Sequence, residues 1–463
     1  MEKEGMISDL VRLVGRENVL SSAMHFKLYE YDASLIRSKP DCIVLPTSTE
    51  QVAAVVKYAH DNKIPVVARG TGTNLSGGSV TVQGGIAVVL TGMNRIVETD
   101  VENLRVVVEP GVVTLDLKNE LAKLGYLYQP DPASEKVTTI GGNFGENAGG
   151  PHCLKYGVTS NHVLGAELVL YDGQVVEVGG KASDNPGYDL PGILGASEGT
   201  LGIVTKATLR IMPKAEAVKT MLCIFNSIED GGNTVTAIIG DGIIPATLEM
   251  MDNLVIKAVE EAYHIGFPVD AAAILIIELD GLKDGMDRLT ERILAICRQN
   301  NVREIRVAGD QAERDKIWAG RKGAFGAVGR LRPNYLVNDG TVPRTRLPET
   351  LLKVVEIGKK YRIMIANVFH AGDGNLHPLI LFDERDKDEL KRVHAAAEEI
   401  MKVCVDMGGT ISGEHGIGVE KLHGMSLIFS SRDMDAMRKV KAAFDPENLF
   451  NPGKVLPETE KAA

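Results

Sequence analysis

The chain has 463 residues but only five cysteines, and Cys42, Cys153, Cys223, Cys297 and Cys404 form no CxxC pair. Scattered and odd in number, they support neither a disulfide framework nor an iron–sulfur cluster, so any electrons handled here travel on another cofactor. Long apolar runs are missing too. Stretches such as "AAAILIIEL" are too short to span a bilayer, and the opening "MEKEGMISDL" has no apolar signal core. The expectation is a cytoplasmic protein that is not integral to a membrane. No Lys/Arg block is present, and 51 basic against 62 acidic residues leave a net charge of −11. That balance argues against nucleic acid as a partner, and an anionic ligand would need a local pocket. No glycine loop ends in Gly-Lys-Ser/Thr and no GxGxxG follows a strand pattern, which disfavours P-loop and Rossmann-type nicotinamide binding.

What is present is an ordinary globular composition, 44% apolar and 24% charged, over a length that allows two or three domains. Residues 50–62 place Val52, Val55, Val56 and Ala59 at the spacing of an amphipathic helix, and "IPVVA" after them reads as a buried strand. The next stretch, "RGTGTNLSGG" (69–78), has glycines that permit positive φ and let backbone N–H groups converge on an anion. Strands are expected near 86–90 and 105–109. A helix is expected near 114–124, with Leu117, Leu121 and Leu124 inward and Gly125 as its stop. Such alternation indicates mixed α and β structure. Residues 131–157, rich in Gly and Asn, read as a loop wrapped around a ligand, and "NHVLGAELVLYDGQVVEVG" reads as a hairpin turning at Asp172-Gly173. Beyond residue 214 the pattern becomes regular: strand 273–279, helix 285–299, strand 303–307, helix 311–329 and helix 347–360. The expected organisation is an N-terminal helical segment (1–37), a first domain (38–215) and a second domain (216–456) whose C-terminal end returns to the first.

Three glycine-rich segments, "RGTGTNLSGG", "DPASEKVTTIGGNFGENAGG" and "GASEGTLGIVT", occur in this order, followed by "FHAGDGNLHP", "GTISGEHGIG" and "FDPENLFNPGK". The first three resemble the FAD domain of the vanillyl-alcohol oxidase type. With the last three, residues 38–456 resemble the flavin subunit of glycolate oxidase and the related D-lactate and D-2-hydroxyglutarate dehydrogenases. The resemblance implies a two-part FAD-binding domain followed by an α+β substrate domain with an antiparallel sheet. It implies that Arg69, Gly70, Thr71, Gly72, Thr73, Asn74, Gly77 and Gly78 wrap the FAD diphosphate, whose charge needs dense donors. By the same resemblance Pro132, Thr138, Gly142, Asn143, Gly145, Asn147, Gly150 and Tyr156 line the flavin path. Glu198, Gly199 and Ile203 then sit near adenosine or the ring, and Asn451 reaches in from the C-terminal end. Relatives that tether FAD covalently often use a histidine in the first loop. This loop has none, so binding is expected to be non-covalent, with His152 and Cys153 as the alternative tethers.

His370 and His377 flank Gly372-Asp373-Gly374-Asn375, a turn between the strand-like "RIMIANVF" and "PLILF", so their imidazoles are expected near each other. Alone, such a pair is as readily two loop or packing histidines. Glu414 and His415 stand adjacent in a segment expected to be extended, where neighbouring side chains point opposite ways. That fits the roles the resemblance implies, Glu414 as third metal ligand beside the two histidines and His415 as base. The ligand set suits Zn²⁺, Fe²⁺ or Mn²⁺ alike. In helix 311–329, Ile317, Arg321 and Phe325 share a face, and a guanidinium on an apolar stripe needs a partner. That partner is either an internal carboxylate or, as the resemblance favours, the substrate's. Where some relatives have a lysine, this chain has Val337, which points to a small hydroxy acid rather than a dicarboxylate.

The expectation is an FAD- and metal-dependent dehydrogenase that oxidises a small (R)-2-hydroxy acid, D-lactate or glycolate, to the 2-oxo acid. Arg321 and Asn375 hold the substrate and His415 takes its hydroxyl proton. The electron acceptor is expected to be a protein, an electron-transferring flavoprotein or an iron–sulfur subunit. Three alternatives remain: a D-2-hydroxyglutarate-type dehydrogenase, a non-catalytic flavin relay subunit, and a metal-dependent hydrolase, which would leave the glycine loops without a purpose.

Overall fold

The computed structural model describes residues 3–182 and 186–458, in two compact units. The first comprises Met1–Gly149, Gly157–Lys214 and Glu414–Ala463; the second comprises Gly150–Tyr156 and Ala215–Gly413.

Among the described residues the first unit holds two main sheets and a minor two-stranded one, Tyr126–Leu127 with Met212–Pro213. In the smaller of the main sheets, strands Cys42–Val44, Ile86–Val89 and Val66–Arg69 run parallel, with the short Val19–Leu20 antiparallel at one edge. Helix Thr49–Asp61 starts where Ser48 accepts a hydrogen bond from Gln51 N. It lays Val52, Val55, Val56 and Ala59 into one core with Val44, Val66, Ile86 and Val88. Each buried valine contributes roughly 1.5–3 kcal/mol before the entropy of ordering. The larger sheet is antiparallel, in the order Ile96–Asp100, Arg105–Val108, Ile203–Arg210, Val163–Val169, Val175–Gly179. Its last two strands form the hairpin expected around Asp172-Gly173. Helix Thr114–Lys123 buries Leu117 and Leu121, but Leu124 is exposed rather than inward. The helix ends at Lys123 with Leu124 as its cap, and Gly125 turns the chain away at φ 82°.

The stretch 131–157, expected as loop, contains the helices Ile140–Glu146 and Cys153–Tyr156. Gly141, Gly142 and Gly145 hid the first from any propensity reading. Its tertiary setting demands small residues: a Cβ on Gly141 would lie 2.6 Å from Pro110 Cβ.

The second unit is built on a seven-stranded antiparallel sheet, ordered Glu304–Val307, Ala217–Phe225, Ala273–Gly281, Thr247–Asp252, Met364–His370, Pro378–Phe382, Asn334–Val337. Helices Asn253–Tyr263 and Gln311–Val328 cover one face, with Val255, Val259, Ile317 and Ala324 packed on Leu222, Ile274, Ile276, Met251, Val368 and Leu379. Strands Ala217–Phe225 and Thr247–Asp252 had no clear sequence signal, because fully buried strands lack the apolar–polar alternation that marks half-buried ones.

Candidate active site

In the first unit the loop 69–78 leaves its strand through backbone that side chains would obstruct. A Cβ on Gly70 would lie 2.3 Å from Thr139 Oγ1, and Gly72 and Gly77 take φ of 79° and 81°. The loop is stiffened from within, since Asn74 Oδ1 accepts from Ser76 N (2.9 Å) and Gly78 N (2.7 Å). Asn74 Nδ2 is buried and has no hydrogen-bond partner among the described residues, a donor awaiting an acceptor. The loop carries no carboxylate. Its glycine approach, orphan donor and freedom from acids fit a diphosphate.

Several expected flavin contacts are occupied in building this cradle. Arg69 is buried and its Nη2 donates to Tyr31 O (2.7 Å). Thr71 Oγ1 donates to Val137 O (2.9 Å), and Thr73 Oγ1 lies 3.4 Å from Thr138 Oγ1. Thr138 Oγ1 donates to Asn143 Oδ1 (2.8 Å), whose Nδ2 donates to Thr114 Oγ1 (2.7 Å). Asn147, at φ 56°, accepts from Ser160 N, and Gly145 O accepts from Glu198 N (2.8 Å). Pro132 O accepts from Glu135 N, Gly142 N bonds the Thr139 cap, and Ile203 packs in the core. Gly199 has φ 68°. Asn451 Nδ2 donates to both Gly78 O (2.8 Å) and Glu198 O (2.6 Å), joining two glycine loops to the C-terminal segment.

The same unit contains a feature that sequence reasoning missed, a close pair of carboxylates, Glu198 buried and Glu146 half-buried. Burial pushes Glu146 well above the usual carboxylate range, and the neighbouring Glu198 pushes it further. Burial also raises Glu198, against the pull of amide hydrogen bonds from Ile417 (2.6 Å) and Gly418 (2.8 Å). Gly416 passes where a Cβ would lie 2.5 Å from Glu146 Oε2 and 2.7 Å from Glu198 Oε1. Ser76 Oγ donates to His415 O (3.1 Å). Residues 415–418 are therefore bound onto the two glycine loops, which fixes the backbone of the candidate base.

In the second unit the alternation of side chains along each strand does the placing. On the helix-covered face, the apolar rows give way at the strand ends to polar residues: Thr220 after Leu222, Glu278 after Ile276, Glu249 after Met251, His370 after Val368, and His377 ahead of Leu379. Glu249 is the direct cross-strand neighbour of His370, which brings their side chains together. His370 Nδ1 lies 2.7 Å from Glu249 Oε1, and the His370 and His377 ring centroids are 5.0 Å apart, edge to face. Both histidines are buried. His377 Nε2 lies 3.4 Å from Asp339 Oδ1. Asp339 in turn accepts from Ser412 Oγ (2.7 Å) and Gly413 N (2.8 Å from its carbonyl, 3.0 Å from Oδ2). The hairpin loop closes by mutual backbone bonds between His370 and Asn375, and Asn375 Oδ1 is buried with no partner among the described residues.

Helix Gln311–Val328 faces this polar row. Arg314 donates twice to Glu278 (2.9 Å each) and Trp318 Nε1 donates to it (2.8 Å). Arg321 donates through Nε (2.6 Å) and Nη2 (2.5 Å) to Glu249 Oε2. The internal partner left open for Arg321 is therefore Glu249, fully buried. Burial alone would raise the Glu249 carboxyl, but Arg321 and then His370 hold it below its ordinary range. Burial also acts to raise Glu278, but hydrogen bonds from His152 and Arg314 hold it far below.

Of the expected site residues, His370, His377, Asn375 and Arg321 come together in the second unit. Gly150 and Tyr156, whose hydroxyl donates to Asp280 (2.7 Å), also belong to that unit. The other flavin candidates, with Glu414 and His415, belong to the first unit, and the chain crosses between units at the Gly413–Glu414 peptide. Two imidazoles this close suit a divalent cation. Glu249, Glu278 and Asp339 were missed; each is a lone acid at an inward position of a strand or turn, and only strand register reveals that position.

Comparison with known proteins gives consistent matches. Residues 40–179 match the FAD binding domain, and residues 214–455 match the C-terminal domain of FAD linked oxidases. The chain is 44% identical over 436 residues to the glycolate oxidase subunit GlcD of Escherichia coli (strain K12), covering 94% of this chain and 87% of that one. It is 41% identical to the subunit of the same name in Bacillus subtilis (96% of each) and 33% identical to a D-lactate dehydrogenase of Anaerostipes hadrus (90% of each). A solved structure of p-cresol methylhydroxylase shares the fold, with TM-score 0.81 at 20% identity over 97% of this chain and 96% of that one.

Proposed function

The chain belongs to the FAD-linked oxidases and is an FAD-dependent oxidoreductase, and we propose that it oxidises a small (R)-2-hydroxy acid, D-lactate or glycolate, to the 2-oxo acid with the help of a divalent metal. The observation that carries this reading is the buried His370–His377 pair on the same sheet face as Arg321. Relatives named glycolate oxidase and D-lactate dehydrogenase support the substrate class. Val337, buried in the apolar core, supports a small acid over a D-2-hydroxyglutarate-type dicarboxylate.

His370 and His377, joined by Glu414, are the proposed metal ligands, and the glycine loops are the FAD cradle. Bound FAD supplies a hydride acceptor for C2, and the cation, as Zn²⁺, Fe²⁺ or Mn²⁺, supplies a Lewis acid that lowers the hydroxyl pKa. Arg321 orients the substrate carboxylate with the guanidinium edge that Glu249 does not use. Asn375, with its buried carbonyl oxygen unpartnered, is a second polar contact. His415 takes the hydroxyl proton as general base. His152, engaged by Glu278 at 3.3 Å and stacked on Trp318, supports non-covalent flavin binding. Electrons leave to a protein partner, an iron–sulfur subunit or an electron-transferring flavoprotein.

Anaerobic mixing of the FAD-loaded protein with D-lactate or glycolate is the test. The wild type is expected to bleach the flavin, and His415→Ala to keep its FAD but reduce it at least about a hundredfold more slowly. Normal bleaching by that variant would remove His415 from the mechanism. A wild type that no 2-hydroxy acid bleaches, with metal present, would leave the relay-subunit reading standing instead.

A further inference from the structure

The mechanism above does not use Glu249, a carboxylate that touches both a proposed metal ligand and the proposed substrate anchor. It is completely buried, it is the cross-strand partner of His370, and its two oxygens are divided: Oε1 lies 2.7 Å from His370 Nδ1, and Oε2 takes Arg321 Nε and Nη2 at 2.6 and 2.5 Å. A carboxylate this deep is costly unless its partners need it. Both partners lie at the polar end of the sheet face, where Arg321 follows Arg314 and Trp318 along the same helix but takes a different carboxylate, Glu249 rather than Glu278.

We propose that Glu249 is the positioning residue of this site, a single carboxylate that presets the imidazole of His370 and the guanidinium of Arg321 together. This inference rests on the metal reading of the His370–His377 pair. By accepting at Nδ1, Glu249 selects the tautomer with the proton on that nitrogen, so Nε2 is the lone-pair donor offered to a cation. The negative charge makes that imidazole a stronger ligand. By engaging Arg321 along Nε and Nη2, it fixes the plane of the guanidinium and aims the remaining edge. One acid thus couples the grip on metal to the grip on the substrate carboxylate, and a change at position 249 is felt at both.

The test uses the full-length, FAD-loaded protein stripped of metal and equilibrated with chelator-buffered Zn²⁺. Glu249→Gln keeps the shape but loses the charge, and it is expected to bind Zn²⁺ about 10- to 100-fold more weakly with FAD content unchanged. Since Glu249→Gln leaves Arg321 as an uncompensated buried cation, Arg321→Met and the double variant Glu249→Gln/Arg321→Met are measured beside it. Arg321→Met is expected to hold Zn²⁺ as the wild type does, and the double variant to lose the same factor of ten or more. Equal Zn²⁺ affinity in Arg321→Met and the double variant would overturn the positioning role. A wild type that binds no Zn²⁺ would instead overturn the metal reading on which it stands.

Discussion

Asn451 offers the clearest quantitative test of how the cofactor cradle is held. Its buried side chain donates to the carbonyls of Gly78 and Glu198, at 2.8 and 2.6 Å, and accepts from Lys454 Nζ at 2.5 Å, while its backbone N–H donates to Val66 O (2.7 Å). Replacing Asn451 by Asp keeps size and the acceptor for Lys454 but turns the double donor into an oxygen that faces two carbonyls. Gly78 O keeps its second donor, Lys454 Nζ at 3.1 Å, whereas Glu198 O loses the amide, and a buried carbonyl left without its donor costs about 1–3 kcal/mol. For a unit of this size that lowers the melting temperature by about 2–12 °C. The loss falls on the loops that hold FAD, so FAD should also wash out at lower protein concentration. Asn451→Gly is the control: the residue sits at φ 44°, where glycine relieves backbone strain, so it removes the side chain without penalising the turn and should fall between wild type and Asp. The assay is thermal unfolding followed by far-UV circular dichroism, with and without added FAD, alongside flavin content after gel filtration. An Asn451→Asp protein that melts within a degree of wild type and retains its flavin would refute the account of these loops.

Two further outcomes follow from the geometry. Gly70→Ala would drive a Cβ to 2.3 Å from Thr139 Oγ1, forcing loop or helix cap to shift at about 1–3 kcal/mol. Flavin titration should show weaker FAD binding, partly restored by adding Thr139→Ala; unchanged affinity in Gly70→Ala would show that the close approach is not needed. Glu278→Gln should destabilise the second unit by roughly 3 kcal/mol, since it breaks a buried ion pair with Arg314. The folded-state pKa of Glu278 is depressed, so its stabilisation is complete above the unfolded value of about 4.3 and is lost as pH falls below it. Denaturant melts across pH 3–7 should therefore show a shallower acid decline in the variant than in wild type, and parallel curves would contradict the hydrogen-bonded ion pair described for Glu278.

The local rules that can be read along a chain accounted for much of what was found. Helical spacing of Val52, Val55, Val56 and Ala59 and the Asp172-Gly173 turn translate directly into elements, because neighbours a few residues apart decide them. The glycine segments by themselves indicated only an anion cradle; their order and likeness to a known family marked the FAD-binding half. Legibility ended where burial removes the pattern. Thr247–Asp252 is shielded on both faces, so it shows no alternation, and nothing in its residues foretold that Glu249 would meet His370 across 121 positions of chain. Ile140–Glu146 is helical against the propensity of its three glycines; Pro110 crowds the position of Gly141 and Thr139 that of Gly142, which favours small residues there.

What the sequence determined by itself was the inventory: two histidines bracketing a turn, an arginine on a helix stripe, a first glycine loop free of acids and no cysteine cluster. Strand register decided the partnerships, since pairing His370 with Glu249 rather than a residue to either side sets which acid the imidazole meets. The tertiary fold gave Arg321 its internal carboxylate and brought Glu146 beside the buried Glu198, because distances across a core depend on packing that no local pattern encodes.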